Sequence, residues 1–490
     1  MKKNIILLIA ALFALAGCSD FLDIRMEGSM PSSGVDYSKP ENIFLPVSAA
    51  YASMRLAEGE AQNYIAVLEV PSDDADKGST ETDGPDVAEL DHFTYGPGNN
   101  HISAVWTIFY NIVSAANYAI ESMDLYKEAI TSEDGKIQVE QCRAEAKVIR
   151  AYAYWNLVRL FGTVPLIDRT MSSTELASVA VSTAAEMYQF IYKDLDDAIE
   201  VLPNSFPDYK TRYNKYTALG LKSKVALYNK DWDEAARCAD LVIASGRYSL
   251  QSRFADAFSV EYEGGSESLM EIESSALRQT SDPLPVSFYA FIQGPRGNKE
   301  PFQGWGFKVP SQKLVNWMDA NGDVIRRKVT VLERGANETD EISSSCTNPY
   351  YNGKVYTPRE WNTRSYNAYG LEHNQRLLRY ADVLLIYAEA LANGASITSE
   401  SGYSADQALN EVRSRAGLAP VAATLDNILD ERRAELALEE NRFFDLVRTG
   451  KAVEVLGPLG FTANKNEVFP IPSAQRELNS ALPKTPGYTY

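Results

Sequence analysis

The chain has 490 residues, of which 47 are Lys or Arg and 66 are Asp or Glu, so its formal net charge at pH 7 is −19. This acidity argues against binding to nucleic acid, whose phosphates require a basic surface, and against charge-driven adhesion to anionic lipid. The length exceeds that of one typical hydrophobic core, so we expect two joined lobes or one body built from repeats.

The first 18 residues have the pattern of a signal peptide. Lys2 and Lys3 precede an apolar run over residues 5–15, which is too short to span a bilayer. The sequence LAGC that ends at Cys18 resembles a bacterial lipoprotein processing site. We therefore predict that residues 1–17 are removed and that Cys18 carries the acyl chains that anchor the protein. The alternative is an ordinary signal peptide with an incidental cysteine.

Residues 18–250 are predicted to form an N-terminal helical part, because apolar residues recur there at helical spacing. The predicted helices span 103–126, 138–161, 183–202, 216–228 and 232–245. Residues 217–250 have the 34-residue length of a tetratricopeptide repeat, and the small Ala235 and Ala239 allow two helices to approach closely. Two weaker helix pairs, one upstream and one near the C-terminus, also favour a repeat scaffold.

The acidic segment 72–86, SDDADKGSTETDGPD, interrupts this pattern. It begins like a calcium-binding EF-hand loop, but it lacks the spacing and the closing glutamate of that motif. We interpret the segment as a solvated polar loop.

Residues 251–370 contain recurrent Gly and Pro and only one clear helical pattern, near residues 312–318. We predict loops, short strands and one or two short helices here, inserted into the helical body. The predicted fold is therefore mainly α, a tetratricopeptide-like helical repeat scaffold with an inserted loop-rich, mixed α/β lobe. Loops held on a rigid scaffold commonly carry binding residues, so this lobe is the predicted ligand side.

Residues 371–490 are predicted to complete the scaffold with a C-terminal helical part. Its predicted helices span 375–392, 405–416 and 427–447. Asp382 and Glu389 lie on an otherwise apolar helix, and Arg432 lies within an apolar stripe. A buried charge costs several kcal/mol unless it is paired. We therefore predict that Arg432 or Arg433 pairs with Asp382 or Glu389 between two helices.

No motif in the chain indicates catalysis. The three histidines have no paired metal spacing, and GxSxG, GxGxxG and Walker-type sequences are missing from the chain. Cys142, Cys238 and Cys346 have no zinc-site spacing, and their disulfide state is left open. We predict neither an enzyme nor a cofactor or metal site.

Several strings resemble the SusD/RagB family of nutrient-binding outer-membrane lipoproteins. They are LRYADVLLIYAEAL, ALNEVRSRAGL, ILDERRAELALEENRFFDLVRTGKA and FPIPSAQRELNSALPKTPGY near the C-terminus, with GCSDFLD, VPSDDAD and WTIFYNIVSAANYAIESM upstream. KTPGY replaces the usual QNPGY, and LEEN stands where a glycine commonly follows the glutamate. The resemblance covers nearly the whole chain after the signal peptide.

The resemblance implies a lipid-anchored protein of the outer membrane that faces the cell exterior and is not catalytic. Such proteins act as lids on a SusC-like TonB-dependent transporter, capture oligosaccharides or occasionally peptides, and pass them into the barrel. Two alternatives stay open: a tetratricopeptide-type scaffold that binds only protein partners, and a peptide binder rather than a glycan binder.

A sugar ring has an apolar face and a rim of hydroxyls, so its binder needs flat aromatic surfaces beside fixed polar groups. Residues 350–369 contain six Tyr or Trp. Glycines lie on both sides of Trp305, and a glycine follows Tyr95, which stands where family members often present a sugar-stacking ring. The predicted ligand-binding residues are Tyr95, Asn99, Asn100, Asp73, Asp74, Arg296, Trp305, Trp361 and Tyr350. The alternative for each ring is packing within a local core.

Overall fold

A computed structural model of the protein describes residues 35–56, 58–274, 288–298, 304–335, 342–356 and 373–490. The predicted lipidation site Cys18 and the predicted ligand residue Trp361 lie outside these ranges. The described residues are mainly helical, which confirms the predicted fold class.

Helices make up most of the part before residue 251. In chain order they are α1 (Leu45–Ser53), α2 (Glu58–Leu68), α3 (Pro85–Asp91), α4 (Asn100–Ala129), α5 (Glu133–Phe161), α6 (Ser173–Leu176), α7 (Ala184–Val201), α8 (Lys215–Tyr228) and α9 (Trp232–Ala244). Polar side chains satisfy free backbone groups where several of these helices begin. Thr183 and Asn214 form capping boxes at the starts of α7 and α8.

The later helices are α10 (Tyr289–Gln293), α11 (Gln312–Ala320), α12 (Val324–Thr330), α13 (Tyr380–Ala392), α14 (Ala405–Arg415), α15 (Leu425–Glu435), α16 (Arg442–Arg448), α17 (Ala452–Leu456) and α18 (Ser473–Leu478). Short 3-10 helices occur at Pro40–Asn42, Phe254–Phe258, Val260–Tyr262, Gly353–Val355 and Gly457–Leu459. Within the described residues, no helix combines the length and the apolar character needed to cross a bilayer. The described part of 251–370 contains three short α-helices rather than the predicted one or two.

Consecutive helices pack in pairs, as the repeat prediction requires. Helix α5 packs on α4 and α7, α9 packs on α8, and α14 packs on α13. At the α8–α9 pair, Ala235 and Ala239 are fully buried, and Asp231 caps α9 by accepting a hydrogen bond from the Glu234 backbone N–H. These pairs bury a continuous core that no single pair could form alone.

The strands are short and form antiparallel two-stranded ribbons. They are β1 (Ala75–Gly78), β2 (Val164–Pro165), β3 (Val181–Ser182), β4 (Ser268–Ile272), β5 (Phe307–Pro310), β6 (Val331–Glu333), β7 (Tyr350–Asn352) and β8 (Gln375–Arg379). The pairs are β1–β5, β2–β3, β4–β8 and β6–β7. Two of these ribbons, β1–β5 and β4–β8, join residues 251–370 to the helical parts on either side.

The predicted helix 375–392 is wrong at its start. Its first five residues form β8, which pairs with β4, and the helix begins only at Tyr380. The physical reason is tertiary: Arg379 inserts between Glu267 and Glu439, with its Nε 2.8 Å from Glu439 Oε2. Helical spacing alone does not report such a pairing.

The predicted helix 427–447 is two helices, because α15 ends at Glu435 and α16 begins at Arg442. Leu438 and Glu440 have φ angles of 62° and 61°, in the left-handed region that interrupts a right-handed helix. The Lys308 ammonium donates to the Leu438 carbonyl at 2.9 Å, so a distant strand stabilises this turn.

The predicted buried ion cluster is confirmed for Arg432. Its Nη1 lies 2.7 Å from Asp382 Oδ1, its Nε lies 2.9 Å from Asp445 Oδ2 and 3.7 Å from Glu389 Oε2, and its side chain is fully buried. Burial opposes ionisation of Asp382, but the charges of Lys224 and Arg432 outweigh burial and lower its pKa. The cluster therefore joins α8, α13, α15 and α16.

Candidate functional site

The predicted ligand residue Arg296 lies in a polar loop cluster at the protein surface. Its Nη1 is 2.6 Å from Asp83 Oδ2 and donates to Ser79 Oγ at 3.1 Å. The Ser79 hydroxyl in turn donates to Asp83 at 3.0 Å. The side chains of Arg296 and Asp83 are 36% and 37% exposed, so fixed donors and acceptors face solvent here.

The β1–β5 ribbon places this cluster. Gly78 lies opposite Phe307, and a Cβ added at Gly78 would come within 2.2 Å of the Gly306 carbonyl oxygen, so only glycine permits this close approach. Lys77 holds the loop that follows, because its ammonium donates to the carbonyls of Thr80 and Asp83 at 2.8 and 2.6 Å.

Trp305 immediately precedes the glycine that packs against Arg296. Its ring is partly exposed and meets Phe291 edge to face, with 6.2 Å between ring centroids. The Trp305 backbone N–H donates to the Phe291 carbonyl at 3.3 Å, so helix α10 fixes the residue. The indole is held in place while part of its surface stays accessible.

Residues 347–351 cover another side of the Arg296 loop. The Thr347 N–H donates to the Arg296 carbonyl at 3.2 Å, and Asn348 Nδ2 donates to the Ser79 carbonyl at 3.3 Å. Tyr350 is partly exposed, and its hydroxyl donates to Gln312 at 3.3 Å. The structure thus brings Arg296, the Trp305 segment and the strand that carries Tyr350 into one region.

We use the term ligand surface for Trp305, Arg296, Asp83, Asn348 and Tyr350. An indole ring beside a guanidinium, a carboxylate and an amide has the chemistry needed to contact both the apolar face and the hydroxyl rim of a sugar. Sequence reasoning missed Asp83 and Asn348. The signal for Asp83 was its place in the acidic segment 72–86, but its pairing with Arg296 depends on a strand pairing between distant residues.

The structure contradicts the predicted sugar-stacking role of Tyr95. Its side chain is 1% exposed, its hydroxyl accepts a hydrogen bond from Asn466 Nδ2 at 3.2 Å, and its ring lies 5.2 Å from that of Phe469 and 6.0 Å from that of Tyr488. Burial raises the pKa of Tyr95 well above its ordinary value. The C-terminal segment covers this ring despite the adjacent glycine.

Asn99 is also engaged within the protein. Its side-chain oxygen caps α4, and its Nδ2 donates to Glu89 at 2.9 Å and to the Asp86 carbonyl at 3.0 Å. This use of both ends of the amide contradicts a direct role in ligand binding. Asn100 is exposed in the first turn of α4, and its role stays a prediction.

Asp73 and Asp74 are buried, which contradicts both their predicted ligand role and the interpretation of this stretch as a solvated loop. Arg433 Nη2 lies 2.9 Å from Asp73 and 2.6 Å from Asp74, and Arg442 Nε lies 2.7 Å from Asp73. Burial opposes ionisation of Asp73, but the contacts with Arg442 and Arg433 outweigh it and lower its pKa. These carboxylates tie the N-terminal part to α15 through Arg433 and to the start of α16 through Arg442.

Cys142, Cys238 and Cys346 are free and buried, which answers the question of their disulfide state. Burial raises the pKa of Cys142 to about 12, so this thiol is inert rather than nucleophilic. The described ranges contain no group of three or more His, Cys, Asp or Glu side chains arranged to hold a metal ion.

Comparison with known proteins places this chain in one family. The model of the SusD family matches residues 266–460, and a second family model, described as starch-binding associating with outer membrane, matches residues 20–227. SusD-like protein P2 of Formosa agariphila is 30% identical over 527 residues, and the alignment covers 100% of each chain. The chain belongs to the SusD family. This membership confirms the resemblance found in the sequence.

Other SusD relatives match over most of their length. A SusD-like protein of Bacteroides ovatus is 24% identical over 469 residues, which covers 91% of this chain and 82% of that protein. The solved structure of a laminarin-binding SusD-like protein is 27% identical in sequence and has a TM-score of 0.78. The match covers 91% of this chain and 99% of that protein. Surface glycan-binding protein A of Bacteroides fluxus is 25% identical with a TM-score of 0.78, over 92% of this chain and 100% of that one.

Proposed function

We propose that this SusD family member is a lipid-anchored, exterior-facing protein of the outer membrane that binds oligosaccharides. It delivers them to a SusC-like TonB-dependent transporter and has no catalytic activity. The observation that carries the proposal is the match, over 91% of this chain, to the solved structure of a laminarin-binding relative. Cys18 in its lipoprotein-like context supports the anchor, and the outer-membrane description of the second family model supports the location.

The ligand surface is the part of the described molecule that suits an oligosaccharide. In this proposal the sugar stacks on the accessible part of the Trp305 indole, Arg296 donates to sugar hydroxyls, and Asp83 accepts from them. Because Asp83 already holds the guanidinium at 2.6 Å, these polar groups are pre-positioned and lose little freedom on binding. Tyr350 extends the proposed aromatic surface, whereas the predicted ligand role of Trp361, which lies outside the described residues, stays a prediction.

A glycan array probed with the chain from Ser19 onward tests the proposed activity. This soluble form contains every residue that the structure describes and lacks the lipidated cysteine. Laminari-oligosaccharides belong on the array because a relative binds laminarin. We expect binding to at least one oligosaccharide class and recovery of that glycan uncut after long incubation. Binding to peptides alone would support the alternative peptide binder, and cleavage of the glycan would contradict the non-catalytic part of the proposal.

Delivery to a transporter has a separate test. The full-length lipoprotein, isolated from gently solubilised outer membranes, should co-purify with a large β-barrel transporter. Repeated recovery of the lipoprotein alone at low detergent concentration would contradict the pairing. Recovery with other soluble proteins instead would favour the alternative in which the helical repeats bind only protein partners.

A further inference from the structure

A cavity of about 290 Å³ lies in the helical scaffold, and it shares no lining residue with the ligand surface. It forms where the C-terminal ends of α8, α13 and α16 meet the first residues of α9 and α15. Its volume is at the lower end of the range for small-molecule pockets. The proposed function gives this cavity no role.

On one side the cavity is bounded by Arg448 and Glu389, an ion pair that belongs to the Arg432 cluster. Arg448 Nη2 lies 2.8 Å from Glu389 Oε2, and its Nη1 contacts the other oxygen of the same carboxylate. The Arg448 Nε also donates to Asp445 Oδ1 at 2.8 Å. Because Glu389 and Asp445 neutralise the Arg448 guanidinium, this side of the cavity is held rigid but offers no free positive charge to a ligand.

One wall of the cavity is apolar and aromatic, whereas Asn393 and Thr449 add polar groups elsewhere in the lining. Trp232 begins α9 and is partly exposed, and Leu425 and Leu429 face it from the first turns of α15. Leu425 is 40% exposed, so part of its side chain is accessible from solvent. Trp232 lines the cavity, and its indole supplies an N–H donor there.

The rim carries one positive charge without a counter-charge. Lys451 is paired with Asp426 at 2.7 Å, whereas Lys230 has no carboxylate within 4.0 Å among the described residues. The backbone of Lys230 has a φ of 60°, a conformation that glycine adopts without strain and lysine does not. Lys230 is exposed and lines the cavity, so the chain places a lysine there in a backbone conformation that glycine would adopt more easily.

We propose that this cavity binds the carboxylate of a small molecule with an aromatic or aliphatic body. The body lies between Trp232 and the leucines of α15, and the carboxylate accepts from the Lys230 ammonium and the Trp232 indole N–H. Two sources have this chemistry: a free aromatic acid, and the C-terminal carboxylate of a peptide that ends in an aromatic residue. The single uncompensated charge favours a monoanion over a neutral sugar.

Calorimetric titration of the chain from Ser19 onward with 3-phenylpropionate and with its neutral amide tests this proposal. We expect the acid to bind at least fivefold more tightly than the amide. The tripeptide Gly-Gly-Phe, with a free or an amidated C-terminus, separates the two sources. Tighter binding of the free peptide than of 3-phenylpropionate assigns the site to peptide ends, and the reverse order assigns it to free acids.

Lys230→Gly is the decisive variant, because glycine relieves the backbone conformation while it removes the ammonium. The variant should keep or raise the thermal midpoint and reduce the acid-to-amide affinity ratio to about one. Lys136→Gln, which removes a lysine from the exposed side of α5, is the matched control and should keep the ratio. Oligosaccharide binding should be unchanged in both variants. A failure of the carboxylate proposal can therefore be told apart from a failure of the proposed oligosaccharide binding.

Two results would overturn the proposal. One is equal affinity of the wild-type protein for the acid and the amide, including no detectable binding of either. The other is an unchanged preference for the acid in the Lys230→Gly variant, since this would place the carboxylate elsewhere.

Discussion

Arg432 is the residue on which the strongest stability prediction rests. Replacement by alanine leaves Asp382, Asp445 and Glu389 close together with one cation fewer, so we expect a loss of about 3–5 kcal/mol in the free energy of unfolding. Denaturant unfolding followed by circular dichroism measures it. Arg169→Ala, which breaks an exposed pair with Glu175, is the control and should change stability little. A loss below about 1 kcal/mol for Arg432→Ala would mean that the cluster is solvated.

The buried Glu440 should make the free energy of unfolding depend on pH. Burial and the nearby Glu69 raise its pKa from 4.5 to about 7, and Tyr64 and Gln375 donate to its carboxyl group. The folded protein therefore binds this proton more tightly than the unfolded chain does. The contribution of Glu440 to stability is then largest below pH 4.5 and falls as the pH rises through 7.

Glu440→Gln removes this titration. Relative to the variant, the wild-type protein should gain up to roughly 3 kcal/mol of stability as the pH is lowered from above 7 to below 5. Urea unfolding of both proteins across this range gives the difference directly. A stability difference that does not vary with pH would show that Glu440 titrates normally.

The sequence predicted the environment of a residue correctly where its local pattern implied an energetic penalty, such as an unpaired charge on an apolar helix face. Arg432 was found because a charge inside an apolar stripe demands a partner. Tyr95 was placed wrongly because flanking glycines say nothing about the distant segment around Phe469 that covers it. Asp73 and Asp74 were placed wrongly for the same reason, since their partner Arg433 is far away in the sequence.

At the scale of elements, Gly220 explains how α8 meets the β4–β8 ribbon. A Cβ at this position would lie 2.7 Å from Leu269 Cδ2 and 2.9 Å from Leu378 Cδ2. Alanine normally stabilises a helix by about 1 kcal/mol relative to glycine, but we expect this contact to reverse the sign. Gly220→Ala should lower the free energy of unfolding by about 1–3 kcal/mol.

Gly457→Ala is the matched control for this prediction. No atom lies within 4 Å of a Cβ added at Gly457, and its φ is −53°. This variant should be neutral or slightly stabilising in the same unfolding experiment. A Gly220→Ala protein as stable as the wild type would show that the leucines move aside at little cost.

Helical periodicity predicted the long helices to within about five residues. Helices α4, α7 and α9 each bury one apolar face, whereas α5 is buried on nearly all sides over residues 144–161. It did not predict that β8 precedes α13 or that a turn separates α15 from α16. Both departures depend on contacts between distant segments, with Glu267 in one case and Lys308 in the other. Spacing within a helix contains no information about such partners.

At the scale of the whole molecule, we expect Cys18 to determine whether the protein is attached to the membrane. Cys18→Ala should leave the protein either soluble or as an uncleaved precursor, because the acyl chains have no attachment point. Metabolic labelling with a fatty-acid analogue measures this, and the label should disappear. Full labelling of the variant would place the lipid elsewhere.

The fold class of the whole molecule could be predicted from the sequence, but the pairing of distant segments could not. Recurrent helix pairs indicated a repeat scaffold, whereas the β1–β5 pairing that builds the ligand surface joins segments far apart in the sequence. Asp83 therefore meets Arg296 through a strand register that composition cannot report.

The affinity of the Trp305→Ala variant for the oligosaccharide identified on the array tests the central claim most directly. We expect binding of the chain from Ser19 onward to weaken at least tenfold, about 1.4 kcal/mol, because the stacking surface is lost. Its thermal midpoint should fall only modestly, since the ring is partly buried against Phe291 and the main core. Tyr209→Ala, which removes an aromatic side chain that is 62% exposed between α7 and α8, is the control and should bind normally. Wild-type affinity in the Trp305→Ala protein would contradict the account.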